Sequence, residues 1–366
     1  MLATVQIITI EQALALRERG ALLVDARSPA EYAEGTIPGA INIPLFDDDE
    51  RARVGTLYKV EGKTRAKRLG VKLVAPKIPG LIDQVEAAMA GNKSPVLVFC
   101  WRGGMRSFAL GTFFDLAGIP TMQIEGGHKA FRAVVRDFFA QGEWGRLLVL
   151  RGLTGVGKTR LLKMLQTEGY PVVDLEGLAN HRGSAFGNLG LEAQPSQIAF
   201  ESLLWNEMRR IPKGGYALAE GESKHIGRLI LPPRVYAALQ VETSLWIEAP
   251  IATRVRITLD DYPARDELKR DFLRPLALIR PRLGGENYDR LLGYLEAGRW
   301  DDLARELMLL YYDPLYRHTC PEQRITVTIA DEEPDLTPLK AAITRILKHP
   351  PGDPAGAIDP KIVKIS

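Results

Sequence analysis

The chain has 366 residues, 46% hydrophobic and 25% charged, enough apolar material for two ordinary globular domains. No apolar run approaches the ~20 residues of a membrane span. The opening Met1-Leu-Ala-Thr-Val-Gln6 lacks a basic region and a cleavage site, and two cysteines exclude a disulfide framework or a four-ligand zinc site. A cytoplasmic protein without a membrane partner is expected. The net charge of +3 is too small to announce nucleic-acid binding, so the clustering of charge matters more than its sum.

Along the first third, short strands alternate with helices, and strands are expected at Leu22 to Asp25, Val96 to Phe99 and Thr121 to Ile124. Between the first two lie nine cations, Arg51, Arg53, Lys59, Lys63, Arg65, Lys67, Arg68, Lys72 and Lys77, facing almost no acids. Weak helical spacing from Gly55 to Leu73 suggests a projecting basic helix. It reads as a solvated face or as a grip on a polyanion, because uncompensated cations repel one another unless an anion is near.

The strand ending at Phe99 delivers Cys100 into Trp101-Arg102-Gly103-Gly104-Met105-Arg106-Ser107, and a helical pattern follows as far as Gly118. Loop N–H groups, a helix N-terminus and Arg102 or Arg106 are expected to favour the thiolate at Cys100. A cysteine that merely packs as a small hydrophobe would not explain two arginines and two glycines directly after it. Cys100 is therefore the candidate catalytic residue, with Trp101, Arg102, Gly103, Gly104, Arg106 and Ser107 as its loop.

A domain boundary is expected near Gln141–Gly145. Beyond it an apolar run, Leu147 to Leu150, leads into Gly152-Leu-Thr-Gly155-Val-Gly157-Lys158-Thr159 and then a helix to about Thr167. Every fixed position of the phosphate-binding loop is matched in its strand–turn–helix context. Gly152, Gly155 and Gly157 let backbone N–H groups converge on phosphate oxygens, and the helix end adds positive potential. Lys158 would reach the terminal phosphate, and the Thr159 hydroxyl would hold Mg²⁺ if a metal is present.

Strands at Tyr170 to Val173 and Tyr216 to Leu218 would present Asp174, Glu220 and Glu222 beside that loop, and a third spans Ser244 to Ile247. These acids read as Mg²⁺-water or substrate contacts, or as helix caps. The polar run Asp174-Leu-Glu176-Gly-Leu-Ala-Asn180-His181-Arg182-Gly183-Ser184-Ala-Phe186-Gly187, with Ser223-Lys224-His225-Ile-Gly-Arg228, could build a basic pocket opposite the loop. His181 and His225 would be acid–base groups or only hydrogen-bond donors. Residues 264 to 309 are largely helical, Arg324 to Ile329 reads as a late strand, and a last helix runs to about Leu347. Cys320 is expected to be structural.

Two resemblances sharpen this. Val24-Asp25-Ala-Arg27-Ser-Pro29-Ala-Glu31-Tyr32, Gly35-Thr-Ile37-Pro38-Gly39-Ala40-Ile-Asn42-Ile-Pro44, the Cys100 loop and Glu125-Gly126-Gly127 resemble, in order, the motifs of rhodanese domains. That family's small α/β fold carries sulfur as a cysteine persulfide. With the phosphate loop and the later elements, this gives an expected α/β chain: a rhodanese-like domain over 1–140 with a basic insertion at about 46–80, then a P-loop NTPase-like α/β domain with a parallel sheet and a helical C-terminal part over 145–348, and a flexible tail over 349–366.

With the loop signatures DLEGLANHRGSAFG and AEGESKHIG added, the whole chain up to the tail resembles the tRNA 2-selenouridine synthases. Membership would imply that the wobble uridine of lysine, glutamate and glutamine tRNAs is the substrate. 2-Thiouridine would be S-geranylated with geranyl diphosphate and then converted to 2-selenouridine with selenophosphate, without a tightly bound cofactor. The phosphate loop would cradle the departing diphosphate. Cys100 would act in the selenium step, by attacking, by carrying selenium or by accepting the departing thiolate. The anticodon arm would lie across both domains, with Arg51, Arg53, Lys59, Lys63, Arg65, Lys67 and Arg68 on its phosphates. Trp101 would stack on the extruded base or pack internally. The rival reading is an ATP-dependent sulfurtransferase or kinase with a rhodanese domain.

Overall fold

Apolar runs bounded by turn residues become buried parallel strands in both halves of the chain, as expected where both faces of a sheet are covered. The computed structural model describes residues 5–350 except Glu222, 263–265, Thr319 and 330–333. Glu222 and nearly all of the expected tail therefore lie outside the described residues. The chain divides into two units: residues up to Gln141 together with Ser196–Trp205, and the remainder from Gly142 onward. No helix among the described residues is long and apolar enough to cross a membrane.

The first unit holds strands β1 (Gln6–Ile8), β2 (Leu22–Asp25), β3 (Ile41–Asn42), β4 (Val96–Phe99) and β5 (Thr121–Ile124). They form one parallel sheet in the order β1-β5-β4-β2-β3, so the strand leading to Cys100 is central. All four residues of β4 are fully buried, and Val96 and Val98 pack with Val24, Leu110 and Phe114.

The basic insertion departs from the single projecting helix that its spacing predicts. It folds as two helices, Asp48–Glu61 and Lys63–Val74, joined at Gly62. Asp47 caps the first by accepting the Glu50 N–H at 2.7 Å, a start signal that the surrounding cations mask. Ala66, Gly70 and Val74 turn the second helix inward, leaving Lys63, Arg65, Lys67, Arg68 and Lys72 exposed. Nor is the segment uncompensated. Arg65 pairs with Glu61, Lys77 with Glu50, and Arg51 lies 3.6 Å from Glu31.

The second unit holds β6 (Arg146–Gly152), β7 (Val172–Val173), β8 (Tyr216–Glu220), β11 (Ser244–Glu248) and β12 (Arg324–Thr328) in a parallel sheet of order β12-β11-β6-β8-β7. A small antiparallel pair, β9 (His225–Ile226) with β10 (Leu229–Ile230), stands apart. The strand carrying the phosphate loop is thus the middle one, and its C-terminal end opens onto the region where ligands bind in such sheets. Helices Lys269–Leu283, Gly285–Glu296 and Trp300–Leu307 follow and bury an apolar cluster containing Phe272, Leu276, Leu291, Leu303 and Phe186.

Candidate functional sites

In the first unit, Cys100 sits directly after β4 and is 3% exposed. Its Sγ accepts two hydrogen bonds, from the Gly104 N–H and the Ser107 hydroxyl, each at 3.2 Å. The loop is held from the neighbouring strand, where the Gln123 side-chain amide donates to Gly103 O (2.7 Å), Gly104 O (3.2 Å) and Ser107 Oγ (3.0 Å). The Glu125-Gly126-Gly127 turn closes over it. Gly127 has φ +53°, and a Cβ there would lie 2.1 Å from Cys100 O, so both its conformation and its space require glycine. His128 N–H then donates to Cys100 O at 2.8 Å and Lys129 N–H to Trp101 O at 2.9 Å.

The charges around this loop differ from expectation. Arg106 does not face the sulfur; its guanidinium forms a two-pronged ion pair with Glu31. Burial raises the Glu31 carboxyl, but Arg106, with the Ser28 N–H and Arg51, outweighs this and holds it below the usual range. Arg102 is exposed. Trp101 is 39% exposed and its ring lies 5.6 Å from that of His128. His128 itself is buried, with Nδ1 3.2 Å from the Arg27 guanidinium. Burial, and then Arg27 and Arg132, lower its pKa to about 3, so it stays neutral.

In the second unit, β6 ends at Gly152 and the phosphate loop turns into the helix Lys158–Thr167. A cleft of about 970 Å³ opens on it, lined by Gly152, Gly155, Gly157, Lys158 and Thr159, with Asp174, Glu176, His181 and Arg182. Lys163 and Arg282 add positive charge and Asp261 negative charge. Lys158 Nζ lies 3.5 Å from Gly152 O and 5.8 Å from the centre of the Tyr316 ring. The Thr159 hydroxyl donates to Glu176 Oε2 at 2.9 Å. That pair of oxygen donors suits Mg²⁺. Among the described residues no group of three or more His, Cys, Asp or Glu side chains could hold a metal by itself, so an ion here would draw further oxygens from its ligand and water.

A family model described as the tRNA 2-selenouridine synthase AAA domain matches residues 145–342, more than half of the chain, and a rhodanese-like domain model matches residues 9–133. The tRNA 2-selenouridine synthase of Pseudomonas fluorescens is 36% identical over 80% of this chain and 87% of its own. That of Marinobacter nauticus is 36% identical over 82% and 89%, and that of Nitrosomonas europaea 31% identical over 83% and 90%. This chain belongs to the tRNA 2-selenouridine synthase family. Among solved structures, the N-terminal domain of a putative ATP/GTP binding protein from Clostridium difficile 630 is 39% identical over 36% of this chain and 98% of its own, with a TM-score of 0.33. The two family models fall on the two α/β units of this chain, the rhodanese-like one over the cysteine loop and the other over the phosphate loop.

The loop signatures of the family do not all reach the cleft. Asp174 lines it while capping the helix Leu175–Ala179, its carboxylate accepting the Gly177 N–H at 2.7 Å. Glu220 does not lie beyond its strand as the sequence predicts. It is the last residue of β8, fully buried, and accepts the Leu175 N–H at 2.9 Å. It supports the Asp174 loop from below and does not line the cleft. Lys224 and His225 also do not line it; both side chains are exposed, His225 in β9 and Lys224 immediately before it. His181 is buried at the wall, its Nδ1 accepting the Gly183 N–H at 3.1 Å, and burial followed by Arg182 lowers its pKa. That hydrogen bond leaves the ring proton on Nε2.

Three supports have no signal in the sequence. Arg254 donates from Nε to Thr154 O of the phosphate loop at 2.8 Å and forms a buried two-pronged ion pair with Asp313. Tyr262, beneath the Arg182 guanidinium, bonds Ser184 at 2.8 Å, and burial raises its phenol to about 12. Gln123 braces the cysteine loop. None carries a local motif, because each reaches its partner across a long stretch of chain.

Proposed function

We propose that this chain makes 2-selenouridine from 2-thiouridine in tRNA, by S-geranylation at the phosphate-loop cleft and selenium exchange that uses Cys100. The observation that carries the reading is the cleft itself, where Lys158, Thr159 and Arg182 line one chamber with the glycine loop. Family membership supplies the tRNA substrate. In the first step the C2 sulfur of the uridine bonds to C1 of geranyl diphosphate. The C1–O bond breaks, its electron pair leaves with diphosphate, and the N3 proton is lost to solvent. Departing charge of this kind is best met by preorganised cations and N–H groups, which Lys158 and the loop from Gly155 to Thr159 provide. Thr159 and Glu176 would hold a Mg²⁺, which would supply further charge when bound.

In the second step selenium of selenophosphate attacks C2, and the C2–S bond breaks with its electron pair leaving on geranyl thiolate, which takes up a proton. Water then takes the phosphoryl group as inorganic phosphate. The small enclosure around Cys100, with the Gly104 N–H and Ser107 hydroxyl as donors, suits an anionic sulfur or selenium species. Wobble uridines of lysine, glutamate and glutamine tRNAs are the proposed targets.

The test is mass spectrometry of tRNA nucleosides after incubation with geranyl diphosphate and selenophosphate. Wild type should yield 2-selenouridine, Lys158→Ala should leave 2-thiouridine, and Cys100→Ser should accumulate the S-geranyl nucleoside. Consumption of ATP without any change in the tRNA would overturn the reading in favour of a nucleotide-driven sulfurtransferase.

A further inference from the structure

The phosphate cleft has a second wall, on the face of the sheet away from the loop helix. Leu148, Leu150, Leu245 and Ile247 pack with Leu161 and Leu165 of the helix Lys158–Thr167 on one face. Side chains alternate along a strand, so Arg151 of β6 and Trp246, its partner on β11, lie on the other face. There the helix Pro233–Val241 brings Tyr236 and Gln240, four positions apart and so on one side of it, into the cleft that also holds Lys158. Arg151 is fixed across this wall: Nε donates to Ser244 Oγ at 3.2 Å, and Nη2 donates to Leu239 O at 2.9 Å and Gln240 Oε1 at 3.1 Å. Gly221 leaves room for it, since a Cβ there would lie 2.4 Å from Arg151 Cγ. With its oxygen engaged by Arg151, the Gln240 amide turns N–H groups toward a ligand.

We infer that this wall seats the ring of the uridine that is alkylated, with Gln240 Nε2–H donating to its O4 and with Tyr236 and the Arg151 guanidinium as flat surfaces for it to lie on. The inference rests on the alkylation reading above and adds where the acceptor base sits and which residue reads it. Sulfur must reach the carbon that carries diphosphate, so the base has to enter the same cleft as Lys158 and the glycine loop. Away from the phosphate side, Arg151 and Gln240 make this wall richer in donors than in acceptors. A 2-thiouracil ring matches it, because O4 and the sulfur flank a single N–H. Adenine does not, because its amino group needs an acceptor and the Gln240 oxygen is already engaged.

The experiment follows S-geranylation of anticodon stem-loop RNAs carrying 2-thiouridine or 2-thiocytidine at the wobble position, and binding of inorganic diphosphate and of ATP by calorimetry, all with the full chain. In 2-thiocytidine an amino group replaces O4, so Gln240 meets a donor in place of an acceptor. Gln240→Ala should lower the preference for 2-thiouridine, the ratio of the two kcat/KM values, by about tenfold, the scale of one unmade hydrogen bond. The intrinsic reactivities of the two thiocarbonyls are the same for both proteins and cancel in that change. Tyr236→Ala should lower kcat/KM on both RNAs by about tenfold, mainly through KM, as for a lost stacking surface. Inorganic diphosphate should bind both variants as tightly as wild type, which shows that they are folded. A ratio unchanged by Gln240→Ala, a matching loss of diphosphate binding, or ATP binding that weakens in the same variant overturns the inference and leaves alkylation at the phosphate loop standing. Absence of alkylation by wild type overturns that reading and this inference together.

Discussion

The two units begin their chemistry with the same local plan, a buried parallel strand running into a glycine-bearing loop and a helix, yet they make opposite kinds of space. After β4 the loop closes on a single atom: Cys100 is 3% exposed and its sulfur is met by Gly104 and Ser107. After β6 the loop opens onto about 970 Å³ lined by Lys158, Lys163, Arg182 and Arg282. What differs is the second layer. Gln123 and Gly127 pull the cysteine loop inward against β5, whereas Arg254 and Met308 brace the phosphate loop from its outer side and leave its face clear. A strand–loop–helix motif announces that something is bound; the size of what is bound is set by residues far away in the chain.

If the enclosed site and the open site serve different steps, their key residues should fail differently. Cys100→Ser should cut 2-selenouridine formation by about 10³-fold, the upper scale of losing one group preorganised around a reacting anion, while S-alkylation continues. Lys158→Ala should slow the alkylation itself by about 10²–10³-fold, as for loss of one charge-stabilising group. Nucleoside mass spectrometry separates the two. Both variants stopping at the same nucleoside would break the comparison.

Arg254 tests whether the open loop depends on its brace. Arg254→Ala leaves Asp313 buried and unpaired and should destabilise the protein by about 3–5 kcal/mol, read as a lowered unfolding midpoint. The double change Arg254→Met with Asp313→Leu should recover most of that stability, because an apolar pair can replace a buried ion pair. Alkylation should stay impaired, since Thr154 O still lacks its donor. Recovery of both stability and alkylation would make Arg254 a structural residue only.

The enclosed site predicts a pH response. His128 is neutral in the folded protein with a pKa near 3, against 6.5 when unfolded. Its folded value is depressed, so the stability it contributes is present above about pH 6.5 and is lost as pH falls toward 3. The loss should be no more than about 5 kcal/mol. His128→Gln should flatten that part of the acid-unfolding curve, measured by circular dichroism from pH 7 to pH 3.5. An unchanged slope would show that other groups dominate.

How much of the molecule is legible in its sequence follows from distance along the chain. β2, β4, β5 and both loops can be read because strand, glycines and helix lie within about fifteen residues and carry their own periodicity. Glu220 is misplaced by sequence alone because the end of a strand looks like a loop when an acid and a glycine meet there. Lys224 and His225 are misplaced because a pair of two-residue strands leaves almost no pattern. The Arg254–Asp313 pair spans 59 positions, and the second wall of the cleft draws on residues from 151 to 246; both come from packing, to which local spacing is blind.

The smallest effects concern the basic helices of the enclosed unit, and there the structure ranks residues that the sequence leaves pooled. Arg65 is tied to Glu61, whereas Lys67 and Arg68 are exposed on the same helix. Removing one cation from a phosphate should reduce the dependence of log K on log salt by about 0.7 to 0.9. Lys67→Ala and Arg68→Ala should each weaken tRNA binding several-fold and lower the slope by that amount. Arg65→Ala should do less, because its guanidinium is already paired with Glu61 and is less available to a phosphate. A slope that none of the three changes would mark the helix as a solvated face, its cations held apart by water rather than gathered for a polyanion.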